Sequence, residues 1–306
     1  MDDELNVTYI TLDGFVELHK YRYLCFVIVF TVYVVIIGSN SIIVFLIRKH
    51  QDLHKPMYVF ITALLINSSL YSCNIYPKLL VDFLSEKETI IYSLCLMQGF
   101  MYYILASSEF LLLSVMAYDR YVSICKPLQY PTIMRNRTVS IFLVLAWLVP
   151  ALEMTVTAVL YANVKLCHFT LKGIFCNSSL YTLHCVHSAA LSVYGVFMLM
   201  NIALFPMLFI LFTYTRILII CYRSCKRIRT KAVQTCLPHL LVLINFSIFV
   251  TYDIVAVRLD TSFAKAVGLI MTLQMILYHP LFNSIIYGLK MKEISNHLKR
   301  LFFKSH

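Results

Sequence analysis

Long apolar stretches without charged side chains recur along the chain and predict its architecture. Runs that lack Asp, Glu, Lys and Arg occupy residues 24–47, 56–77, 188–215, 232–252 and 266–289. Two more runs, 95–118 and 138–161, contain one acid each, Glu109 and Glu153. Every run is long enough for an α-helix to cross a bilayer. The pattern therefore predicts an all-α membrane protein, a bundle of seven transmembrane helices.

The connections between the apolar runs are short and contain no Gly/Ser-rich or Pro-rich linker, which predicts a single domain over residues 1–306. The expected parts are an amino-terminal segment 1–23, spans at about 24–47, 56–79, 95–118, 138–161, 188–215, 232–256 and 265–289, and a final segment 290–306. In the final segment, apolar residues such as Met291, Ile294 and Leu298 recur every three or four positions among basic residues. This spacing is typical of an amphipathic helix on the membrane surface.

Composition and charge agree with a membrane protein. Of the 306 residues, 60% are hydrophobic and 13% charged, which is too apolar for a soluble domain. Most Lys and Arg lie in alternate connections, and this asymmetry predicts an amino terminus outside the cell. The net charge of +11 then reflects topology and attraction to anionic lipid rather than to nucleic acid. The first residues are acidic and no cleavage site follows, so the first helix is expected to serve as its own insertion signal.

The stretch MAYDRYVSICKPLQY, residues 116–130, places Asp119 and Arg120 at the end of the third predicted span. An arginine at this position can pair with its neighbouring carboxylate in one conformation and release it in another, which makes a two-state element. The alternative is an interfacial arginine that only anchors the helix. Both interpretations place the pair at the membrane boundary.

This stretch resembles the signature of odorant receptors, a family of rhodopsin-like (class A) G-protein-coupled receptors. Other resemblances are Trp147, Pro206, Tyr214 and the stretch KAVQTCLPH at 231–239. The seventh span ends in PLFNSIIY, residues 280–287, with Ser284 where the family motif has proline. Within the family, the chain resembles the fish-like class tuned to water-soluble odorants.

The resemblance implies an odorant receptor that binds a small molecule in the outer half of the bundle. It would activate a heterotrimeric G protein of the olfactory, stimulatory type and so raise cyclic AMP. The implied location is the plasma membrane of olfactory cilia, and neither a cofactor nor an oligomeric state is implied. The switch and coupling residues implied by the family motifs are Asp119, Arg120, Tyr121, Tyr214, His239, Asn283 and Tyr287. As residues, His239 and His279 stand alone in apolar sequence and are interpreted as satisfied packing residues.

Four cysteines lie on the predicted outer side: Cys95, Cys167, Cys176 and Cys185. They indicate two disulfides, and the residues alone leave three pairings open. The resemblance implies Cys95–Cys176 and Cys167–Cys185, which would fold the loop as a lid over the pocket. The sequon at Asn6 is the expected glycosylation site, whereas Asn177 is disfavoured because it adjoins a bridged cysteine.

Helical spacing back from Arg120 predicts pocket-lining residues on the third span, and a second set shares one face of the sixth span. These ligand-binding candidates are Tyr102, Tyr103, Ala106, Ser107 and Phe110, with Thr251, Ile254 and Arg258. Arg258 could hold a carboxylate ligand in two hydrogen bonds. Its alternative role is an interfacial anchor, or a partner of Asp253 or Asp260.

Glu109 is an ionisable residue within the membrane and therefore a functional candidate. Relatives with an acid here often have a second acid in the second helix, and the two bind sodium. In this chain the second position is Ser68, beside Asn67. Glu109 is thus the candidate sodium contact, in a weaker, polar site, and its alternative is a neutral, hydrogen-bonded carboxylic acid.

Two other functional classes are less well supported by the sequence. An ion-coupled transporter is favoured only by Glu109, because the seven spans do not divide into repeats. An enzyme is not expected, since the common catalytic motifs of hydrolases and metalloproteases are absent. A non-olfactory chemoreceptor of the same fold is the nearest alternative.

Overall fold

The computed structural model describes most of the chain. The described residues are 8–161, 164–177, 180, 183–185, 189–222, 237, 240–245, 247–248 and 263–303. The predicted sixth span, 232–256, therefore falls largely outside them, as do Thr251, Ile254 and Arg258.

Long α-helices account for most of the described residues, because apolar side chains dominate these stretches and backbone groups in a membrane must bond within the segment. The helices are α1 (Arg22–Lys49), α2 (Pro56–Leu84), α3 (Tyr92–Cys125), α4 (Tyr130–Ile133), α5 (Asn136–Tyr161), α6 (Ala189–Leu199), α7 (Phe205–Tyr222), α8 (Phe263–Lys290) and α9 (Lys292–Phe303). A π-helical segment, Met200–Leu204, joins α6 to α7, so the two form one continuous helical stretch.

Five helical stretches among the described residues are long and apolar enough to cross a membrane: Leu18–Lys49, Pro56–Leu84, Tyr92–Cys125, Asn136–Leu160 and Val193–Tyr222. Their outward surfaces carry large exposed apolar side chains, for example Val27 on α1, Val144 on α5 and Phe212 on α7. A soluble protein rarely exposes this much contiguous apolar surface, whereas lipid solvates it.

Helix α3 lies at the centre of the bundle and packs against α2, α5 and α7. Two hydrophobic cores surround it. One contains Tyr76, Tyr102 and Phe175 and lies beside the Cys95–Cys176 bridge, so we name this region the disulfide end. The other contains Met116 and Tyr214 and lies beside Arg120, which gives the Arg120 end its name.

A small sheet at the disulfide end was not predicted from the sequence. Strand β1 (Tyr9–Leu12) lies between β2 (Thr89–Ile91), to which it is antiparallel, and β3 (Thr170–Leu171), to which it is parallel. The strands are too short to show a clear alternation of apolar and polar residues. Next to them, a Cβ on Gly14 would lie 2.5 Å from the carbonyl carbon of Gly173, so only glycine permits this close approach. The sheet joins the amino-terminal segment to two loops.

The predicted amphipathic helix is present as α9. Its Met291 flank and Ile294 are buried against the bundle, while Glu293, Lys299 and Arg300 are exposed. Since Ile294 is fully buried, α9 is held against the Arg120 end.

Candidate functional site

The Asp119–Arg120 pair near the carboxyl end of α3 is closed in the structure. Nη2 of Arg120 donates to Oδ2 of Asp119 over 2.9 Å, and Asp119 is fully buried. A second donor, the hydroxyl of Tyr130 on α4, lies 2.8 Å from Oδ1 of Asp119. Both carboxylate oxygens are therefore satisfied, as a buried charge requires.

Tyr130 was not predicted as part of this site. Burial raises the pKa of Tyr130, and the nearby Asp119 carboxylate raises it further, so the phenol stays neutral and keeps its proton. A neutral phenol is the form that donates a hydrogen bond to a carboxylate. Tyr130 thus fixes Asp119 from the loop that follows α3.

The other predicted switch residues that the structure describes lie on α3, α7 and α8. Tyr214 on α7 and Tyr287 on α8 are buried in the core of the Arg120 end, and Tyr121 is partly buried against it. Asn283 is fully buried on α8, and His239 lies outside the described residues. Their roles in switching stay predictions.

Glu109 lies in the middle of α3 and contacts two nitrogen atoms from α8. Nδ2 of Asn283 donates to Oε1 of Glu109 over 2.7 Å. Nε2 of His279 lies 2.9 Å from the same oxygen, and both side chains of this pair are 1% exposed. His279 is therefore buried in the packing, as interpreted, but it does not stand alone, because it contacts Glu109. The histidine lies four residues before Asn283, so both face α3 from the same side of α8.

These donors bear on the sodium prediction. Sodium, like other hard cations, takes oxygen ligands, whereas two nitrogen atoms approach Oε1 of Glu109 here. At the second candidate position α2 has Ser68 instead of an acid, and the Ser68 hydroxyl donates to the carbonyl oxygen of Pro280 over 3.4 Å. The arrangement fits an internal histidine–carboxylate pair and does not fit sodium at this oxygen. The sodium contact stays a prediction that the donor set does not favour.

Pro280 leaves one backbone carbonyl of α8 without a helical hydrogen-bond donor, and Tyr76 supplies a donor to it. A proline has no N–H, so the carbonyl four residues earlier, that of Ile276, loses its helical partner. The hydroxyl of Tyr76 on α2 donates to this carbonyl over 2.9 Å. The carbonyl that Pro280 leaves without a helical partner thus accepts a hydrogen bond that links α2 to α8.

Ser284, which replaces the expected proline, makes a contact that proline could not make. The hydroxyl of Ser39 on α1 donates to Oγ of Ser284 over 3.0 Å, and Ser284 donates to the carbonyl of Leu281. Asn40, which follows Ser39 on α1, donates from its amide nitrogen to the hydroxyl of Ser69 on α2 over 3.1 Å. Helix α1 therefore contacts α8 through Ser39 and α2 through Asn40. Such polar contacts between helices stabilise bundles in lipid.

Both disulfides implied by the resemblance are present. Cys95 is bonded to Cys176 and Cys167 to Cys185. The first bridge joins the beginning of α3 to the loop before α6. Cys176 is further fixed by its backbone N–H, which donates to Oε1 of Gln98 over 3.0 Å.

The loop before α6 packs onto Tyr102, one of the ligand-binding candidates nearest to the disulfide end. The ring of Tyr102 lies 5.3 Å from that of Phe175 and 5.1 Å from that of Tyr103, between ring centroids. The Tyr102 hydroxyl donates to Sδ of Met275 on α8 over 3.3 Å. Tyr102 is thus enclosed by the loop, α3 and α8.

The remaining candidates on α3 lie deeper. Ala106 and Phe110 belong to the core of the Arg120 end, and Ser107 is also buried. The structure therefore distributes the five α3 candidates over two cores, with Tyr102 under the loop and Phe110 toward Arg120. The ligand role of these residues and of the sixth-span set stays a prediction.

The glycosylation candidates differ in what the structure describes. Asn6 lies outside the described residues, whereas Asn177 is 9% exposed. A buried asparagine beside a bridged cysteine is a poor acceptor for a bulky sugar, in line with the preference for Asn6.

Sequence reasoning missed four residues that shape the site: Tyr130, His279, Gln98 and Phe175. His279 could have been found from its spacing to Asn283. Tyr130 and Phe175 lie in connections, where no periodic pattern indicates which side chains turn inward.

Comparisons with known proteins agree with this geometry. A family model described as olfactory receptor matches residues 29–305. Human olfactory receptor 11A1 is 32% identical over 298 residues, which cover 96% of this chain and 94% of that protein. Human olfactory receptor 2T2 is 31% identical over 302 residues, with 97% and 92% covered.

The fold is that of a rhodopsin. The crystal structure of squid rhodopsin superposes with a TM-score of 0.73 at 17% identity, over 93% of this chain and 86% of that one. This likeness shows a seven-helix membrane bundle and carries no further argument. The matched family and the human relatives consist of receptors, which are not enzymes. Together they show that this chain belongs to the olfactory receptor family.

Proposed function

We propose that this receptor couples a small odorant, bound between its helices, to a stimulatory, olfactory-type G protein that raises cyclic AMP. The observation that carries the proposal is the closed contact among Asp119, Arg120 and Tyr130 at the end of α3. In this state the guanidinium is paired within its own helix. A G protein would require the same group to turn toward a cleft between the helices.

The pairing is suited to a switch because it is local and noncovalent. Asp119 is fully buried, while the Arg120 side chain retains 16% exposure and so remains close to water. Releasing the arginine leaves Asp119 with the Tyr130 hydroxyl as its remaining donor. The cost of that release sets the basal activity, and ligand binding would have to offset it.

The path from ligand to switch runs along α3. At 1.5 Å per residue, Tyr102 and Arg120 are separated by roughly 27 Å along the helix axis. Glu109 lies between them and contacts α8 through Asn283 and His279. A ligand that shifts α8 relative to α3 would change these contacts first, and Tyr287 on the same helix would carry the shift toward Arg120.

The ligand chemistry is proposed from the candidate set. The surface offered by Tyr103, Ala106 and Ser107 is mainly apolar. It contains the phenolic hydroxyl of Tyr103 and the aliphatic hydroxyl of Ser107, which suits a small organic molecule. Arg258 adds a fixed positive charge that would favour a carboxylate. An acidic, water-soluble odorant is thus the preferred class, as expected for the fish-like group within the family.

Orientation and location belong to the same proposal. The distribution of Lys and Arg supports an amino terminus outside the cell, with the disulfide end facing outward and the Arg120 end facing the cytosol. Disulfides form in oxidising compartments, which supports the same orientation. We expect the receptor in the plasma membrane of olfactory cilia.

The direct test is cyclic AMP in cells that express the chain with an olfactory-type G protein, challenged with short acids, amino acids, bile acids, steroids and amines. Surface expression is measured in parallel. A ligand-dependent rise that Arg120→Ala abolishes supports the proposal. A ligand-dependent rise that persists in Arg120→Ala at equal surface expression would contradict the assigned switch.

The acid preference has its own control. Arg258→Ala should abolish responses to acidic ligands while sparing surface delivery and any response to neutral ligands. Unchanged responses to acids would remove Arg258 from the site.

A further inference from the structure

Three side chains with metal-binding atoms meet at the Arg120 end, on residues that the proposed switch does not use. His50 follows α1, Asp52 lies in the short turn Gln51–Leu53, and His297 is on α9. Nε2 of His297 lies 3.0 Å from Oδ2 of Asp52. The rings of His50 and His297 are stacked, with centroids 3.9 Å apart and 25° between the planes. One ligand atom from each of the three residues lies within 4.8 Å of the other two.

The fold fixes the three positions through buried neighbours. Leu53, next to Asp52, is fully buried, and so is Ile294, which lies one helical turn before His297. The backbone N–H of His50 donates to the carbonyl of Leu46 and ends α1. The three side chains therefore converge because buried neighbouring residues fix the positions of their backbones.

Two imidazole nitrogens and a carboxylate oxygen form a donor set that zinc accepts. Zinc binds such ligands at about 2.0–2.2 Å in tetrahedral geometry, so bound donor atoms lie roughly 3.3 Å apart. The longest separation, at most 4.8 Å, therefore has to shorten by up to about 1.5 Å. Because Asp52 and His297 are already 3.0 Å apart, this shortening concerns the distances to His50, and the Asp52 side chain, which is 61% exposed, is free to follow it. Three protein ligands would leave the fourth position for water.

The ligand chemistry also suits a metal. Zinc binds the neutral form of an imidazole and the charged form of a carboxylate, so binding would release any proton held by His50 or His297.

Two neighbouring side chains point away from the cluster, one in the first loop, residues 50–55 between α1 and α2, and one at the end of α1. Nε2 of His54 lies 3.2 Å from the carbonyl oxygen of Arg48. The Lys49 ammonium lies over the Phe45 ring, 5.7 Å from its centroid, and so points back along α1. His54 is therefore a matched control: it is in the same loop as Asp52 but not in the cluster.

We propose that His50, Asp52 and His297 bind a divalent transition metal of the zinc type, which joins the first loop to α9. The metal would bridge residues about 245 positions apart in sequence and hold α9 in place at the Arg120 end. Since the imidazoles must be neutral to bind, the affinity falls as the pH decreases.

The test uses the full-length chain in lipid nanodiscs, purified by a tag without histidine and titrated with zinc chloride against a chromophoric zinc indicator. The structure predicts one equivalent bound by the wild type. Asp52→Asn, His50→Gln and His297→Gln should each weaken binding at least about tenfold, since even the loss of a residue that only supports a ligand costs 10–100-fold. His54→Gln should bind as the wild type does.

A second measurement separates ligation from misfolding. Zinc chloride should raise the unfolding temperature of the wild type and of His54→Gln but not of Asp52→Asn, whose exposed side chain makes it the variant least able to disturb the fold. Equal zinc affinity in the wild type, Asp52→Asn and His297→Gln would overturn the proposal. So would a loss in His54→Gln as large as that in His50→Gln.

Discussion

The two ends of the bundle are held together by different kinds of interaction. The disulfide end has two covalent bridges, a three-stranded sheet and a core that includes loop residues such as Phe175. At the Arg120 end, the described contacts that fix Asp119 are hydrogen bonds from Arg120 and Tyr130. Covalent bridges are not exchanged on the timescale of signalling, whereas hydrogen bonds to a carboxylate are. From this difference we expect the disulfide end to stay fixed during signalling and the Arg120 end to change.

The largest effect is expected from removing the bridge between α3 and the loop. Cys95 and Cys176 are 81 residues apart, and closing a loop of that length contributes about 4–5 kcal/mol in the chain-entropy account. Cys95→Ser should therefore strongly lower the unfolding temperature and the surface level. The bridge with a separation of 18 should contribute less, about 3 kcal/mol.

The control for this comparison is Cys25→Ser, which removes a thiol that forms no disulfide. Thermal unfolding of purified receptor compares Cys95→Ser, Cys167→Ser and Cys25→Ser. If Cys95→Ser and Cys25→Ser unfold at the same temperature, the disulfide end is not the fixed frame described here.

The next largest effect is expected at the buried pair in mid-bundle. His279→Ala leaves Asn283 as the described donor to the Glu109 carboxylate, and removing one partner of a buried polar group costs about 1–3 kcal/mol. Adding Glu109→Gln to His279→Ala should recover part of this loss. Glu153→Gln is the control, because this acid pairs with the amide of Asn201 rather than with a histidine. Additive effects of the two mutations would show that the pair is not coupled.

A gain of function would sharpen the same point. Ser68→Asp combined with His279→Asn supplies a second acid and removes the competing imidazole. Sodium chloride should then stabilise the double variant by about 1–2 kcal/mol relative to choline chloride, as expected for a ligand about tenfold or more above its Kd. The wild type should not distinguish the two salts. A sodium-dependent shift in the wild type would instead support the ion at Glu109.

A smaller effect is expected where α2 supports α8. Tyr76→Phe removes the donor to the carbonyl that Pro280 leaves free, at a cost of about 1 kcal/mol. In a Pro280→Ala background the alanine N–H can bond that carbonyl, so Tyr76→Phe should cost less there. Tyr278→Phe, on the outer surface of α8, is the control. Equal costs of Tyr76→Phe in both backgrounds would disprove this explanation.

The sequence was sufficient for features that depend on local pattern. Apolar runs predicted the helices, and the adjacent Asp119 and Arg120 predicted a pair, because neighbours in sequence at a helix end remain neighbours in space. The disulfide pairing required the family resemblance, since four cysteines permit three pairings.

The remaining features depend on how distant segments meet. His279 contacts Glu109 only because α8 is rotated to face α3, and an isolated histidine in an apolar run gives no sign of that rotation. Tyr130 begins the short helix α4 and Phe175 lies in a loop. His50, Asp52 and His297 converge from opposite ends of the chain. The small sheet joins strands of two to four residues, which are too short for periodicity to indicate.

We propose that the contact at Asp119 holds the receptor in its resting state. Tyr130→Phe tests it most directly, because it removes one hydroxyl and leaves Asp119 and Arg120 intact. Loss of about 1 kcal/mol corresponds to a factor of about five in the equilibrium between resting and active states. Basal cyclic AMP without ligand, at matched surface expression, should therefore rise up to about fivefold relative to the wild type and to Tyr278→Phe. Basal cyclic AMP that stays at the wild-type level or falls in Tyr130→Phe would contradict the claim.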